Sequence, residues 1–448
     1  MNVNPASLAE LGVKIPEISL PAASVNIEKW AVIACDQWTQ DRDYWLDVAN
    51  YVGDSPSTLR LIFPEVYLND ENIDERISAI HATMDSYIKN EYKTSSVLAP
   101  SRKAGVFVER TIKSGVRRGF IMALDLEKYD WKRNSTSIIR CTEDTIEERL
   151  PPRVKIRAKA PLEVPHILVL IDDKENLLMG LFEKLLHNAP IIYKSALMKD
   201  GGSVQGRLVY RQNDWNFISD TLNHLYRSSI TKFGADNAFL FAVGDGNHSL
   251  AAAKTVWEQY KAENKNTPDF NNEHRARYAL VEVVNLYDEM LKFEPIHRVL
   301  LKINAEDALA ALQASGKFNI SPQTDIKRLN QLVAEENAGK NRYAFISRFK
   351  LALLESEGSA AATVALEPVL QNILREKQSA SLDYLHDADE LCRISLSRDD
   401  AAGIILPPFK KDGLFETIAK NGPLPRKSFS MGAACEKRYY LECRKLFY

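Results

Sequence analysis

The chain has 448 residues, more than one simple core usually holds, so we expect more than one subdomain. Its composition is that of a globular protein, and a formal charge of −2 argues against bulk nucleic-acid binding, which needs an excess of cations. No apolar run approaches the roughly 18 residues of a membrane span, no secretion signal is evident, and the five cysteines form no CxxC pair, so a cytoplasmic protein with free thiols is expected.

The first part of the chain alternates apolar runs with polar stretches. Trp30 to Cys35 and Leu59 to Phe63 predict two short strands. Between them, the loop that starts at Asp36 carries aromatic and acidic side chains, which line pockets about as often as they pack a surface loop. The spacing of apolar residues from Ile73 to Tyr87 predicts an amphipathic helix, and the β-rich runs 104–110 and 115–126 predict a hairpin.

A polar cluster follows the predicted strand 137–141. Arg140 and Glu143 suit a phosphate clamp and a general base or metal ligand. The alternative is a helix start, because Thr145 and Glu148 match a capping box. Either way, a short helix over 142–149 is expected to stop at Pro151 and Pro152.

The next stretch, PPRVKIRAKAP, is strongly basic. Read with the two-residue period of a strand, Arg153, Lys155, Arg157 and Lys159 share one face. Such a row faces an anion, or it is a solvated edge strand whose cations block aggregation.

A buried strand is predicted over 166–171, ending at Asp172 and Asp173. Two adjacent carboxylates at a strand end suit Mg²⁺, and they are equally good turn residues. Helices are predicted over 177–187 and 215–233, with a strand over 203–211 between them.

The most informative stretch runs from Asn237 to Tyr260. An apolar strand over 238–243 meets a glycine turn, and a helix follows after Ser249. Main-chain N–H groups at such a helix start form an anion site, and Asp245 and His248 are the candidate acid or base there. The alternative is structural: Asp245 or Asn247 caps the helix and His248 packs in the core.

These residues resemble those of the DUF1015 family, a group of proteins without a known function. The defining element of that family is a strand that runs into Asp-Gly-His-His-Arg at a helix start. The matching segments here are Asp245-Gly246-Asn247-His248-Ser249 within 241–252, Arg140-x-Thr142-Glu143-x-Thr145, Pro151-Pro152-Arg153, His166, Pro295 to Arg298 and Pro425-Arg426-Lys427-Ser428.

The same turn is similar to that of the ParB/sulfiredoxin-type fold, whose members bind nucleotide phosphates at this helix start; one branch phosphorylates free serine. This sequence departs from the pattern at Asn247, in place of a histidine, and at Ser249, in place of an arginine. Losing the arginine removes a bidentate phosphate contact. The basic row 153–159 or the pair Arg426 and Lys427 would have to supply the missing charge.

The expected fold is α/β to α+β, with mixed sheets and three regions over 1–160, 161–330 and 331–448. By resemblance, the expected function is phosphoryl transfer on a small metabolite, as in a serine or phosphoserine kinase or phosphatase, with Mg²⁺ accompanying a nucleotide or pyrophosphate. The alternative is a regulatory protein that binds a nucleotide or metabolite without catalysis. The metal ligands and the oligomeric state are left open. The predicted catalytic residues are Asp245, His248 and Glu143, and the predicted phosphate- or substrate-binding residues are Gly244, Gly246, Asn247, Ser249, Arg140, Arg153, Lys155, Arg157, Arg426 and Lys427.

Overall fold

A computed structural model of the protein describes residues 5–91, 96–268, 270–335, 337, 339–358 and 361–448. The chain divides into two compact units. Unit 1 comprises the chain up to Cys141, Thr145–Leu291 and Ala433–Tyr448, and unit 2 comprises Thr142–Asp144 and Lys292–Gly432. The units are interleaved along the chain, whereas the three regions expected from the sequence are consecutive; those regions stay a prediction.

The helices are spread over both units. In chain order they are α1 (Ile27–Trp30), α2 (Arg42–Val52), α3 (Ile73–Lys89), α4 (Leu150–Arg157), α5 (Leu177–Leu186), α6 (Gln212–Phe233), α7 (Asn247–Asn264), α8 (Ala305–Ala314), α9 (Ile326–Ala334), α10 (Ala362–Glu376), α11 (Ala388–Ser397) and α12 (Leu414–Asn421).

The strands alternate with these helices. They are β1 (Val13–Lys14), β2 (Glu17–Ile18), β3 (Arg102–Lys103), β4 (Gly105–Ile112), β5 (Gly115–Asp125), β6 (Tyr129–Asp130), β7 (Ile139–Cys141), β8 (Leu162–Glu163), β9 (Leu168–Ile171), β10 (Ile191–Ala196), β11 (Ser203–Val209), β12 (Phe241–Asp245), β13 (Tyr278–Asn285), β14 (Phe293–Pro295), β15 (His297–Leu301), β16 (Asn319–Gln323), β17 (Lys340–Ile346), β18 (Leu351–Glu357), β19 (Ser381–Leu385), β20 (Ala401–Ile405), β21 (Phe429–Met431) and β22 (Arg444–Lys445).

Unit 1 is built on a mixed sheet with the order β10-β11-β4-β5-β13-β9-β12-β7-β6. Strand β12 pairs in parallel with β7 and antiparallel with β9. In the second pairing Asp245 lies opposite Leu168, so the end of β12 meets the beginning of β9. Residues just before β9 are therefore brought to the turn that follows β12.

Unit 2 is built on an antiparallel sheet with the order β16-β18-β17-β20-β15-β19. Its strands alternate buried side chains between two faces, as the two-residue period of a strand requires. Tyr343 and Phe345 pack with α8 and α10, whereas Ala344 and Ile346 pack with α9 and α11. Both faces are covered, which explains why the central strands β17 and β20 bury consecutive side chains.

The predicted class, a mixed α/β fold with several sheets and subdomains, is confirmed. The predicted strand–glycine turn–helix appears as β12, Gly246 and α7. The hairpin appears as β4 and β5, which pair antiparallel, and the helix predicted from Ile73 appears as α3. Within the described residues, no helix combines the length and the apolar character that crossing a membrane requires.

Two strand predictions in the first part of the chain are wrong. The predicted strand 30–35 begins at the last residue of helix α1, and its only pairing within the described residues is a single bridge at Ile33. The predicted strand 59–63 begins instead in the short 3-10 helix Thr58–Arg60. Apolar runs this short bury equally well as irregular chain, so their period cannot identify a strand.

The basic stretch is a helix, α4, and not the predicted strand row. Pro151 and Pro152 fall in its first turn, where a missing N–H costs nothing, so they start a helix instead of stopping one. At 3.6 residues per turn, Arg153 and Arg157 lie one turn apart on one face. Lys155 points elsewhere and pairs with Asp74.

Candidate functional site

The turn between β12 and α7 depends on one glycine. Gly246 adopts φ 81° and ψ 28°, the left-handed region that favours glycine. A Cβ at this position would approach the Ile167 Cα to 3.2 Å. Helix α7 starts at the next residue, and its N-cap, Gly246, has no side chain with which to cap the helix. Gly244, Gly246 and Asn247 are thus brought together at a helix start whose dipole favours an anion.

Asp245 is held in place by two contacts. One carboxylate oxygen accepts a hydrogen bond from the Gly246 N–H at 3.0 Å. The other lies 3.1 Å from the ammonium of Lys437, which is buried except for 9% of its side chain. Burial strengthens this ion pair relative to a surface pair. Asp245 is therefore oriented by the C-terminal segment of unit 1.

His248 accepts a hydrogen bond through Nε2 from the main-chain N–H of Ile146, at 3.3 Å. When the ring is neutral, its proton therefore sits on Nδ1. This contact ties the first turn of α7 to the segment just before α4.

A cavity of about 130 Å³ lies beside the first turn of α7. Ser249 and Ala252 line it from α7, and Arg153 and Arg157 line it from α4, which packs against α7. The remaining wall includes His166, just before β9. The predicted binding residues Ser249, Arg153 and Arg157 therefore share one cavity.

His166 is the centre of the hydrogen-bond network in this wall. Its Nε2 lies 3.2 Å from the Ser249 hydroxyl and 3.7 Å from a carboxylate oxygen of Asp36. Its Nδ1 lies 2.7 Å from the Tyr440 hydroxyl, which also accepts the Cys35 N–H at 3.1 Å. The imidazole is thus oriented on one side and faces a hydroxyl and a carboxylate on the other.

The charges around Asp36 keep it ionised. Burial alone would raise its pKa, but the His166 ring, the Gln37 amide, Lys437 and Arg153 together hold the pKa below its usual range. An ionised carboxylate beside an imidazole is an arrangement that can hold a transferred proton.

Both cavity arginines are paired with carboxylates. Arg153 forms an ion pair with Glu65, and Arg157 lies 2.6 Å from Glu163. Burial raises the pKa of Glu65 despite the opposing charge of Arg153. An incoming anion would share these guanidinium groups with Glu65 and Glu163, because the two carboxylates already offset part of the positive charge of the arginines.

Arg140 and Lys155 lie outside this cavity lining. Arg140 is buried, donates through Nε to the Ser137 carbonyl at 2.9 Å, and stacks on the Phe239 ring at 4.8 Å. Burial lowers its pKa. Lys155 is on the surface of unit 1, paired with Asp74.

Glu143, Arg426 and Lys427 belong to unit 2. The Glu143 carboxylate accepts hydrogen bonds from the main-chain N–H groups of Lys427, Ser428 and Phe429 at 3.0, 2.9 and 3.4 Å. Burial raises the pKa of Glu143 to about 7, against the effect of these three donors. The Arg426 guanidinium lies over the Tyr384 ring at 5.8 Å.

The carboxylates at the end of β9 act as turn and pairing groups. Asp173 accepts the main-chain N–H groups of Leu177 and Leu178, both at 2.9 Å, at the start of α5. Asp172 pairs with Lys232 at 2.7 Å. In the described ranges, no group of three or more His, Cys, Asp or Glu side chains is placed to hold a metal ion.

The residues that complete the site were not predicted as site residues. Two of them carried a signal, since Asp36 is in the acidic and aromatic loop and His166 is in the family-like set. The others come from a 3-10 helix and from the C-terminal segment, where local sequence gives no indication of a pocket. These residues are Asp36, Glu65, His166, Lys437 and Tyr440.

The fold and the site together define a mixed α/β protein in which a helix starts at a glycine turn beside a polar cavity. The family model described as "Protein of unknown function (DUF1015)" matches residues 18–383, and the chain belongs to this family. No curated protein matches the chain.

Several solved structures are similar to the chain. A conserved hypothetical protein from Pyrococcus furiosus is 10% identical, with a TM-score of 0.37, over 72% of this chain and 94% of that one. A free serine kinase in complex with AMP is 9% identical, with a TM-score of 0.39, over 73% and 92%. SbnI from Staphylococcus aureus, truncated at its C-terminus, is 9% identical, with a TM-score of 0.35, over 70% and 83%.

Proposed function

We propose that this protein is an enzyme that transfers a phosphoryl group to or from a small hydroxylated metabolite. The observation that carries the proposal is the cavity beside α7, where groups suited to an anion and groups suited to a proton line one wall. Ser249, Arg153 and Arg157 are of the first kind, and His166, which lies 3.7 Å from Asp36, is of the second. Phosphoryl transfer needs both, because the transferred group is anionic and the attacking hydroxyl loses a proton.

In the proposed reaction, main-chain N–H groups at the start of α7 and the Ser249 hydroxyl hold the phosphoryl group. Arg153 and Arg157 offset the charge that develops on its oxygens. A bond forms between the substrate oxygen and phosphorus as the bond to the donor breaks. The hydroxyl proton passes to the Asp36–His166 pair, which shares it as one unit.

Of their predicted roles, Asp245 and His248 keep that of orienting the nucleophile, because the Asp36–His166 pair takes the proton. Lys437 and the Gly246 N–H hold Asp245 towards the turn, and the contact with Ile146 fixes the orientation of the His248 ring. Glu143 is assigned to holding the segment 427–429 together, because its carboxylate oxygens are bound by that segment.

A nucleotide or pyrophosphate donor would bring Mg²⁺, which binds mainly through phosphate oxygens, water and one or two carboxylates. The described residues offer single carboxylates and no cluster of ligands. We therefore propose that Mg²⁺ would bind mainly through the donor, without a dedicated protein site.

The test combines ligand binding with product detection. The full chain is incubated with ATP, ADP or pyrophosphate and with serine or related hydroxy acids, and in reverse with phosphoserine; serine comes first because of the turn's resemblance to free serine kinases. Phosphorus NMR reports transfer, and melting temperature reports binding. Absence of product and of any thermal shift with every pair would overturn the proposal.

Variants identify the site responsible. His248→Ala and Asp36→Asn are expected to lower turnover by about 100-fold or more, with little change in melting temperature. His224→Ala, at an exposed position of α6, is the matched control and should keep wild-type turnover. A large loss of stability with turnover intact in His248→Ala would favour a packing role for that ring.

A second candidate is a regulatory protein that binds the metabolite without catalysis. The pairing of Arg153 with Glu65 and of Arg157 with Glu163 favours it, because the cations are partly neutralised. Ligand-dependent stabilisation without product in the same assay would support this candidate and contradict the enzyme.

A further inference from the structure

A second and larger cavity, of about 290 Å³, lies in unit 1 among α2, the segment 59–67 and α3. Trp45, Phe63 and Ile80 provide much of its apolar wall. Its volume is near the lower end of the range of small-molecule pockets. Ile62 and Phe63 line both this cavity and the one beside α7, so the two are neighbours but have different walls.

Two arginines line the same cavity. The Arg76 guanidinium lies 4.2 Å from the centre of the Tyr67 ring and 3.7 Å from Asp70, an acid that also pairs with Arg42. Arg60 donates to the Gly53 carbonyl, and the described part of the chain gives it no carboxylate partner. Asp70 is thus shared between Arg76 and Arg42, while Arg60 has no carboxylate partner among the described residues. The two arginines that line the cavity therefore retain positive charge.

We infer that this cavity is a binding site for a small organic acid with an aromatic or aliphatic body. The body packs against Phe63, Ile80 and the Trp45 ring. The carboxylate or phosphate group binds Arg60 and Arg76. The site does not depend on the proposed reaction, because it shares no polar residue with the cavity beside α7.

The experiment compares two acids with a neutral analogue of one of them. Phenylacetate and phenyl phosphate are titrated into the full chain, with phenylacetamide as the uncharged control, and binding is followed by calorimetry and melting temperature. Because a charge-assisted hydrogen bond is worth roughly 1.5–3 kcal/mol, at least one acid should bind about tenfold more tightly than the amide. Equal binding of acids and amide, or no binding of either acid, would overturn the inference.

Variants separate this site from other arginine sites and from the proposed active site. Arg76→Gln should weaken the acid about tenfold or more, whereas Arg102→Gln, an exposed arginine outside the cavity, should leave it unchanged. Asp36→Asn should leave acid binding at the wild-type level. Wild-type affinity in Arg76→Gln would contradict the assignment.

Discussion

Two clusters of main-chain N–H groups, one in each unit, differ in whether a carboxylate of the chain accepts their hydrogen bonds. In unit 2, the three N–H groups of Lys427, Ser428 and Phe429 are filled by the Glu143 carboxylate. In unit 1, the N-cap of α7 is Gly246, which has no side chain with which to cap the helix. The nearest carboxylate in sequence is that of Asp245. One of its oxygens accepts the Gly246 N–H, and the other forms an ion pair with Lys437.

The two clusters show what separates an N–H cluster with a structural role from a candidate ligand site: whether a carboxylate of the chain already accepts its hydrogen bonds. Lys427 adopts φ 59°, and a residue in the left-handed region helps successive N–H groups converge into a nest. When the chain supplies the hydrogen-bond acceptor, as the Glu143 carboxyl group does, the nest stabilises the fold. At the start of α7, where Ser249 lines a cavity with Arg153 and Arg157, the same physics would favour a bound anion.

The largest expected effect is on stability, through Glu143→Ala. Removing the carboxylate leaves three N–H groups without their acceptor, and we expect a loss of about 2–4 kcal/mol in the free energy of unfolding, measured with urea. Ser249→Ala, in the first turn of α7, should cost only about 1 kcal/mol, because it removes one hydrogen bond to His166. Equal costs for the two variants would contradict the distinction between a filled and an available site.

A second prediction concerns pH and uses two groups of unit 2 whose pKa values are shifted in opposite directions. Burial raises the pKa of Glu143 from 4.5 to about 7, so its contribution to stability is present below pH 4.5 and is lost as pH rises through 7. Burial, helped by Arg298 and His386 and opposed by Asp387, lowers the pKa of His297 from 6.5 to about 4. Its contribution is present above pH 6.5 and is lost as pH falls through 4.

These two contributions oppose each other between pH 4.5 and 6.5. Glu143→Gln should therefore make the urea midpoint rise more steeply with pH, and His297→Asn should make it fall with pH. Each change should amount to at most roughly 3 kcal/mol across the window. If both variants kept the wild-type slope, ionisation of these groups would not contribute to the stability of unit 2.

The smallest expected effect concerns the glycine turn before α7 in unit 1. Gly246→Ala should cost about 1–2 kcal/mol, because φ is positive and the new Cβ would contact Ile167. Gly234→Ala is the matched control: it has the same φ of 81° but open space around its Cβ, so it should cost about 1 kcal/mol or less. Equal unfolding free energies for the two variants would mean that the close approach of Ile167 does not constrain the turn.

Some of the site could be read from the sequence because its causes are local. A run of apolar residues, a glycine that can take positive φ and an apolar helical face are enough to specify β12, Gly246 and α7. The basic stretch 153–159 was misread, since a two-residue period and a helical period both fit so short a segment. The deciding factor was Pro151 and Pro152 at the start of α4.

The sequence by itself determined the mixed α/β class and the turn at Gly246, because steric preference and the period of apolar residues act over a few neighbouring positions. Tertiary structure alone decided the cavity. The register that sets Asp245 opposite Leu168 brings His166 to the turn, and the C-terminal segment adds Lys437 and Tyr440 from almost 200 positions away. Long-range pairing and packing choose such partners, and no local pattern encodes them.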